Sequence, residues 1–149
     1  MAINTTFTSG QILTAAQMNN LPWGIAGSST LALDKSFTTL TDSGLTVTWT
    51  AISTRQYKLT FFGNFSLTSA GLAQSYITDS SNVAIRETMS TIAAGALFPQ
   101  STTVLLTGIS GSVTYKVRIL AGAGTGTLYG ADSRPALAAA FIVEDIGAA

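Results

Sequence analysis

The sequence predicts an all-β fold, an antiparallel jelly-roll sandwich of about 8–10 strands behind a short N-terminal helical segment. Three features carry that reading. From Ser28 onward apolar and polar residues alternate with a period of two, clusters of Gly, Asp, Asn and Ser separate the alternating runs, and a single stretch carries a helix signature. With no helix to serve as a crossover, neighbouring strands are expected to run antiparallel.

The helix signature lies in Leu13-Thr14-Ala15-Ala16-Gln17-Met18. Thr14 is placed to cap the N-terminus, Gln17 completes a capping box, and Leu13 and Met18 occupy the two positions of a hydrophobic staple. Pro22 ends the helix near Asn20, because the residue before a proline avoids the helical region. Fewer than two turns remain, which cannot persist alone in water, so the helix must dock on something. Residues 1–27 therefore read as an N-terminal docking segment. Its anchors toward a partner are Leu13, Met18, Leu21 and Trp23, and Gly24 to Ser29 is its hinge. The rival reading packs Trp23 against its own sandwich. Residues 28–149 form the β-sandwich domain.

Within that domain Leu45, Val47 and Trp49 alternate with threonines, which assigns Trp49 to the core. Tyr57, Leu59, Phe61, Gly63, Phe65 and Leu67 form the longest alternating face. Val83, Ile85 and Met89 form the next, opposite Arg86 and Thr88. Val113, Tyr115, Val117 and Ile119 follow, and Leu137, Phe141 and Val143 line the last strand. Turns are expected at Asp42-Ser43-Gly44, Asp79 to Asn82, Ser110-Gly111 and Gly122 to Gly130.

Composition narrows the function. The 149 residues suit one domain with a genuine core. Seven basic and seven acidic residues make the chain 9% charged with no net charge, against about a quarter charged in an average domain. Nothing in that balance repels a second copy, so self-association is expected. The scattered basic residues do not form a nucleic-acid surface. Met1 to Gly10 has neither a basic cluster nor an apolar core, so no secretory signal is expected. The apolar run Pro135 to Val143 is too short to span a bilayer.

The absence of histidine and cysteine removes the commonest general base, the commonest metal ligand and the thiol nucleophile. Glu144 and Asp145 are adjacent, but strand neighbours point to opposite faces and cannot work as an acid–base pair. The glycines 122, 124 and 126 lack the following helix that a phosphate loop needs. No catalytic residue, metal ligand or cofactor is assigned, and the chain is not expected to be an enzyme. Large apolar residues do interrupt the polar strand faces. Phe62, Leu105 and Leu120 are read as a subunit interface. Tyr129, in the glycine-rich loop, and nearby Asp132 are candidate glycan contacts.

Two end motifs add a resemblance. Phe7-Thr-Ser-Gly10-Gln11-Ile-Leu13-Thr14-Ala15-Ala16-Gln-Met18-Asn19 through Leu21-Pro22-Trp23-Gly24 resembles the opening of small virion proteins of tailed bacteriophages, those of actinobacterial hosts especially. Phe141-Ile-Val-Glu144-Asp145-Ile-Gly147 is similar to the close of the same group. Between them, Tyr57 to Leu67 and Gly111 to Arg118 resemble in rhythm the trimeric jelly rolls of the tumour-necrosis-factor and complement-C1q type. The resemblance implies a homotrimeric structural protein of the virion, assembled in the host cytoplasm and contacting other virion proteins of the tail or capsid. A minor tail or fibre protein is the first expectation. A capsid decoration protein, or a tail module binding host surface glycan, is the alternative. Neither nucleic-acid binding nor membrane insertion is expected.

Overall fold

A computed structural model describes residue 12 and residues 14–149. Helix α1 (Ala15–Asn19) starts where the sequence places it. The Thr14 hydroxyl accepts the Gln17 N–H at 3.2 Å, the Gln17 amide oxygen accepts the Thr14 N–H at 2.9 Å, and Asn20 caps the other end. Leu13, and with it the staple, lies outside the described residues.

Ten strands follow among the described residues: β1 (Gly24–Thr30), β2 (Lys35–Phe37), β3 (Thr41–Ala51), β4 (Arg55–Leu67), β5 (Gly71–Asp79), β6 (Ala84–Ile92), β7 (Phe98–Leu106), β8 (Gly111–Ala121), β9 (Gly126–Leu128) and β10 (Ala140–Ala148). Every strand pairing is antiparallel. One sheet runs β1-β10-β4-β7, the other β3-β8-β5-β6, and the short β9 and β2 extend the first sheet beside the far end of β4. The eight long strands thus form two four-stranded sheets with the connectivity of a jelly roll.

Alternation decides which side chains meet between the sheets. Leu45, Val47 and Trp49 from β3, Tyr57, Leu59, Phe61 and Phe65 from β4, Val117 and Ile119 from β8, and Phe141 and Val143 from β10 are all buried. Trp49 stacks at a tilt on Tyr57 and Tyr115, with ring centres 5.6 and 5.5 Å away. Glycine at 63 keeps the inward face of β4 open, since a Cβ there would lie 2.7 Å from Leu128 and 2.9 Å from Phe61.

Four expectations need correction. The boundary between residues 27 and 28 cuts through β1, so Gly24 to Ser29 is a strand bonded to β10, with a bulge between Ile25 and Gly27, and not a hinge. Asp42-Ser43-Gly44 is a bulge inside β3, where Gly44 takes φ +94° and the buried Ser43 hydroxyl donates to the Val117 carbonyl at 2.8 Å. In β6 the phase is inverted: Val83, Ile85 and Met89 face solvent, while Thr88, Ser90 and Ile92 face inward. This edge strand pairs with β5 alone and overhangs the core, so its inner positions need little apolar area. Leu137 lies in a 3-10 turn, Pro135–Leu137, ahead of β10, whose inward apolar face begins with Phe141.

Candidate functional site

Three surfaces carry the residues singled out above. The first is the outer face of β1-β10-β4-β7. Strand register sets Leu105, Lys58, Glu144 and Ile25 in one cross-strand row, and Thr103, Thr60, Ile142 and Ser28 in the next. Phe62 follows one row on, beside Ser101. Leu105 is 54% exposed, Ile25 67% and Phe62 42%, and the one ion pair crossing these rows among the described residues is Lys58–Glu144 at 2.9 Å. Hydroxyls and alkyl groups dominate the face, which leaves little charge to desolvate on contact.

Phe62 and Leu105 therefore share a surface, and Leu120 does not. Ile119 and Ala121 point into the core, so Leu120 points outward from the opposite sheet, in register with Gln74. A single flat interface cannot contain all three, and the grouping made from sequence needs that correction. Its cause is simple: alternation separates inward from outward within a strand, but does not say which sheet the strand joins.

The second surface is one end of the sandwich, where the N-terminal segment meets the domain. Arg55 opens β4 and Asp145 lies near the end of β10, both buried. The Arg55 Nε and Nη2 donate to the two carboxylate oxygens of Asp145, Nη1 donates to the Asn19 carbonyl, and Nη2 also donates to the Leu21 carbonyl at 2.7 Å. The same guanidinium lies 3.8 Å from the centre of the Trp23 ring. Burial works to raise the Asp145 carboxyl. Hydrogen bonds from Arg55 and the Gly147 N–H, with the Arg55 charge, outweigh it and hold the group below its ordinary value. The adjacency of Glu144 and Asp145 resolves as alternation requires, one reaching out to Lys58 and the other in to Arg55.

This latch binds the main chain of the segment and leaves its side chains in view. Met18, Leu21 and Trp23 are 56%, 44% and 58% exposed, while the fourth anchor, Leu13, lies outside the described residues. Trp23 stands between two concavities. One, of about 420 Å³, is lined by Asn19, Asn20, Ile52, Thr54, Arg55 and the 148–149 backbone end. The other, of about 240 Å³, is lined by Ile25, Trp49, Thr50, Tyr57 and Asp145.

The third surface holds Tyr129 and Asp132. The Tyr129 hydroxyl is 3.0 Å from that of Ser66, and its ring is stacked by the Arg134 guanidinium at 4.7 Å. Asp132 accepts the Asp34 N–H at 3.0 Å. Asp34 in turn accepts the Gly130 N–H and the Ser133 hydroxyl, each at 2.7 Å, and these bonds lower its pKa. Asp34, in the connection from β1 to β2, ties that connection to the segment between β9 and β10, and the ring of Tyr129 is already covered on one side.

Sequence reasoning found the exposed apolar residues and missed Arg55, Asp145 and Asp34. Arg55 and Asp145 lie 90 positions apart and Asp34 and Gly130 lie 96 apart, and no local pattern marks such pairs.

No known protein family and no curated protein sequence matches the chain. Among solved structures it is similar in fold to T=1 particles derived from infectious bursal disease virus, at 14% identity and TM-score 0.43, covering 97% of this chain and 40% of that one. A T13 particle of the same virus gives 14% identity and TM-score 0.42, covering 88% and 36%. The xylan-binding domain CBM22-1 of Paenibacillus barcinonensis Xyn10C gives 9% identity and TM-score 0.38, covering 87% and 88%. The chain thus spans well under half the length of the virus chains it matches.

Proposed function

We propose that this chain is a non-enzymatic structural component of a bacteriophage virion, placed on the tail or the particle surface. In this reading it assembles as a homotrimer through the outer face of β1-β10-β4-β7. The observation that carries the reading is that face itself. It presents Phe62, Leu105 and Ile25 at 42%, 54% and 67% exposure around a band of threonines and serines, with one ion pair. A soluble chain that is 9% charged and displays such a surface gains by covering it. The two end motifs support the virion context, and the similarity to trimeric jelly rolls supports the number three. A closed ring of copies also covers sheet edges that otherwise template aggregation.

Light scattering on the purified chain tests the reading. The expected mass is about three times 15.4 kDa at micromolar concentration. A clean monomer overturns it.

A further inference from the structure

The concavities either side of Trp23 have a chemistry of their own. Of the side chains lining them, only those of Arg55 and Asp145 are ionised, and these satisfy one another in a buried pair. Two further Arg55 donors, one on Nη1 and one on Nη2, are taken by the Asn19 and Leu21 carbonyls. The side chains of the groove therefore offer a ligand no uncompensated charge. They offer instead an indole with one face braced by a guanidinium, flanked by two asparagines, two threonines and Ile52. Trp49, 7% exposed, lines the smaller concavity, and among the described residues its Nε1–H has no hydrogen-bond partner. A buried indole donor of this kind is normally satisfied.

Those properties select a class of occupant. An anionic or cationic ligand would find no oppositely charged side chain free to pair with it. A purely apolar one would strand the asparagine amides and the threonine hydroxyls. A neutral sugar matches both halves, because a pyranose has an apolar C–H face to lie on an aromatic ring and hydroxyls around its rim to bond amides and hydroxyls. The volume, about 420 Å³ on one side of the indole and about 240 Å³ on the other, is in the range of small-molecule sites. Bracing by Arg55 holds the indole in place before a ligand arrives, so little ordering remains to be done on binding.

We propose that this end of the sandwich binds a neutral saccharide, with one sugar ring stacked on Trp23. The site lies apart from the proposed self-assembly contacts at Phe62 and Leu105, and apart from the Tyr129 loop.

Both tryptophans of the chain line the groove, so their fluorescence reports on it directly. The experiment titrates the full chain with neutral gluco-, xylo-, manno-, galacto- and N-acetylglucosamine oligosaccharides up to about 10 mM, a range set by weak binding energies. A saturable change in emission with at least one series is expected. Trp23→Ala should weaken that binding roughly tenfold or more, as followed by calorimetry. Thr54→Val, which keeps the shape and removes a hydroxyl, should weaken it less. Near-ultraviolet circular dichroism verifies that both variants remain folded, and Phe62→Lys should bind as the parent does even if its assembly is altered. The proposal is overturned if no series changes the emission, if Trp23→Ala and Thr54→Val both bind undiminished, or if sulfated sugars or peptides bind in preference to neutral ones.

Discussion

Arg55 shows how much one side chain can organise. Its guanidinium is withdrawn from water and its donors are distributed over one carboxylate and two carbonyls, so each hydrogen bond is charge-assisted. Replacing it with a similarly sized apolar residue leaves Asp145 buried without its counter-charge. Arg55→Met should lower the unfolding free energy by about 3–5 kcal/mol in urea titrations, and a loss near zero would show the pair to be incidental. Acid acts on the same bond. Because the Asp145 carboxyl sits below its ordinary value in the fold, its contribution is complete above the unfolded pKa of about 3.9 and disappears as pH falls through the lowered folded value. Asp34 adds to the same limb with the same sign, chiefly through the Gly130 N–H. The melting temperature should therefore drop below about pH 4, and more shallowly in Asp145→Asn. Between about pH 6 and 8 it should stay flat, since the chain has no histidine and burial moves Tyr76 and Tyr115 further above their usual range. A shift of many degrees inside that window would reveal a titrating network absent from the residues described.

At the scale of elements, local rules were legible and long-range ones were not. The capping box of α1 depends on residues three apart, and the buried faces of β3, β4 and β8 depend on residues two apart, so both could be read directly. The β6 phase could not, because an apolar stripe marks the inward face only in a strand that has core beneath it. Asp42-Ser43-Gly44 misled for a related reason: a glycine with positive φ serves a bulge as well as a turn. The N-terminal segment is the clearest case. Its main chain is held by Arg55 from 34 and 36 positions away, a tie with no sequence signature. Truncation separates its parts. Removing residues 1–18 spares both carbonyls and β1, so the melting temperature should change by about 2 °C or less. Removing residues 1–24 deletes both carbonyls and the Trp23 ring, a loss of roughly 3 kcal/mol from two bonds to a charged group, or about 6–12 °C for a chain of this size. If scanning calorimetry finds the two truncations equal, the latch contributes nothing and the segment is only an appendage.

For the whole molecule, the placement of three leucine and phenylalanine side chains discriminates between modes of assembly. Phe62 and Leu105 emerge from the β1-β10-β4-β7 sheet, and Leu120 emerges from the other, so the sandwich itself separates them. If copies associate merely because the chain is poor in charge, a lysine on either sheet should disperse them to a similar extent. If they associate through one face, the two positions must differ. A lysine at 62 would bury an unpaired ammonium against threonines and alkyl groups, a penalty of several kcal/mol for each copy. A lysine at 120 would remain in water beside Gln74. On the proposed reading Phe62→Lys runs as a monomer by light scattering at micromolar concentration, and Leu120→Lys keeps the parent mass. Salt gives a second axis. With Lys58–Glu144 the one ion pair across the face among the described residues, and itself part-exposed, screening has little to act on. The assembly should therefore persist in about 1 M sodium chloride, where the screening length is about 3 Å. Dissociation by salt, or by Leu120→Lys as readily as by Phe62→Lys, would place the contact on charged surface or on the opposite sheet.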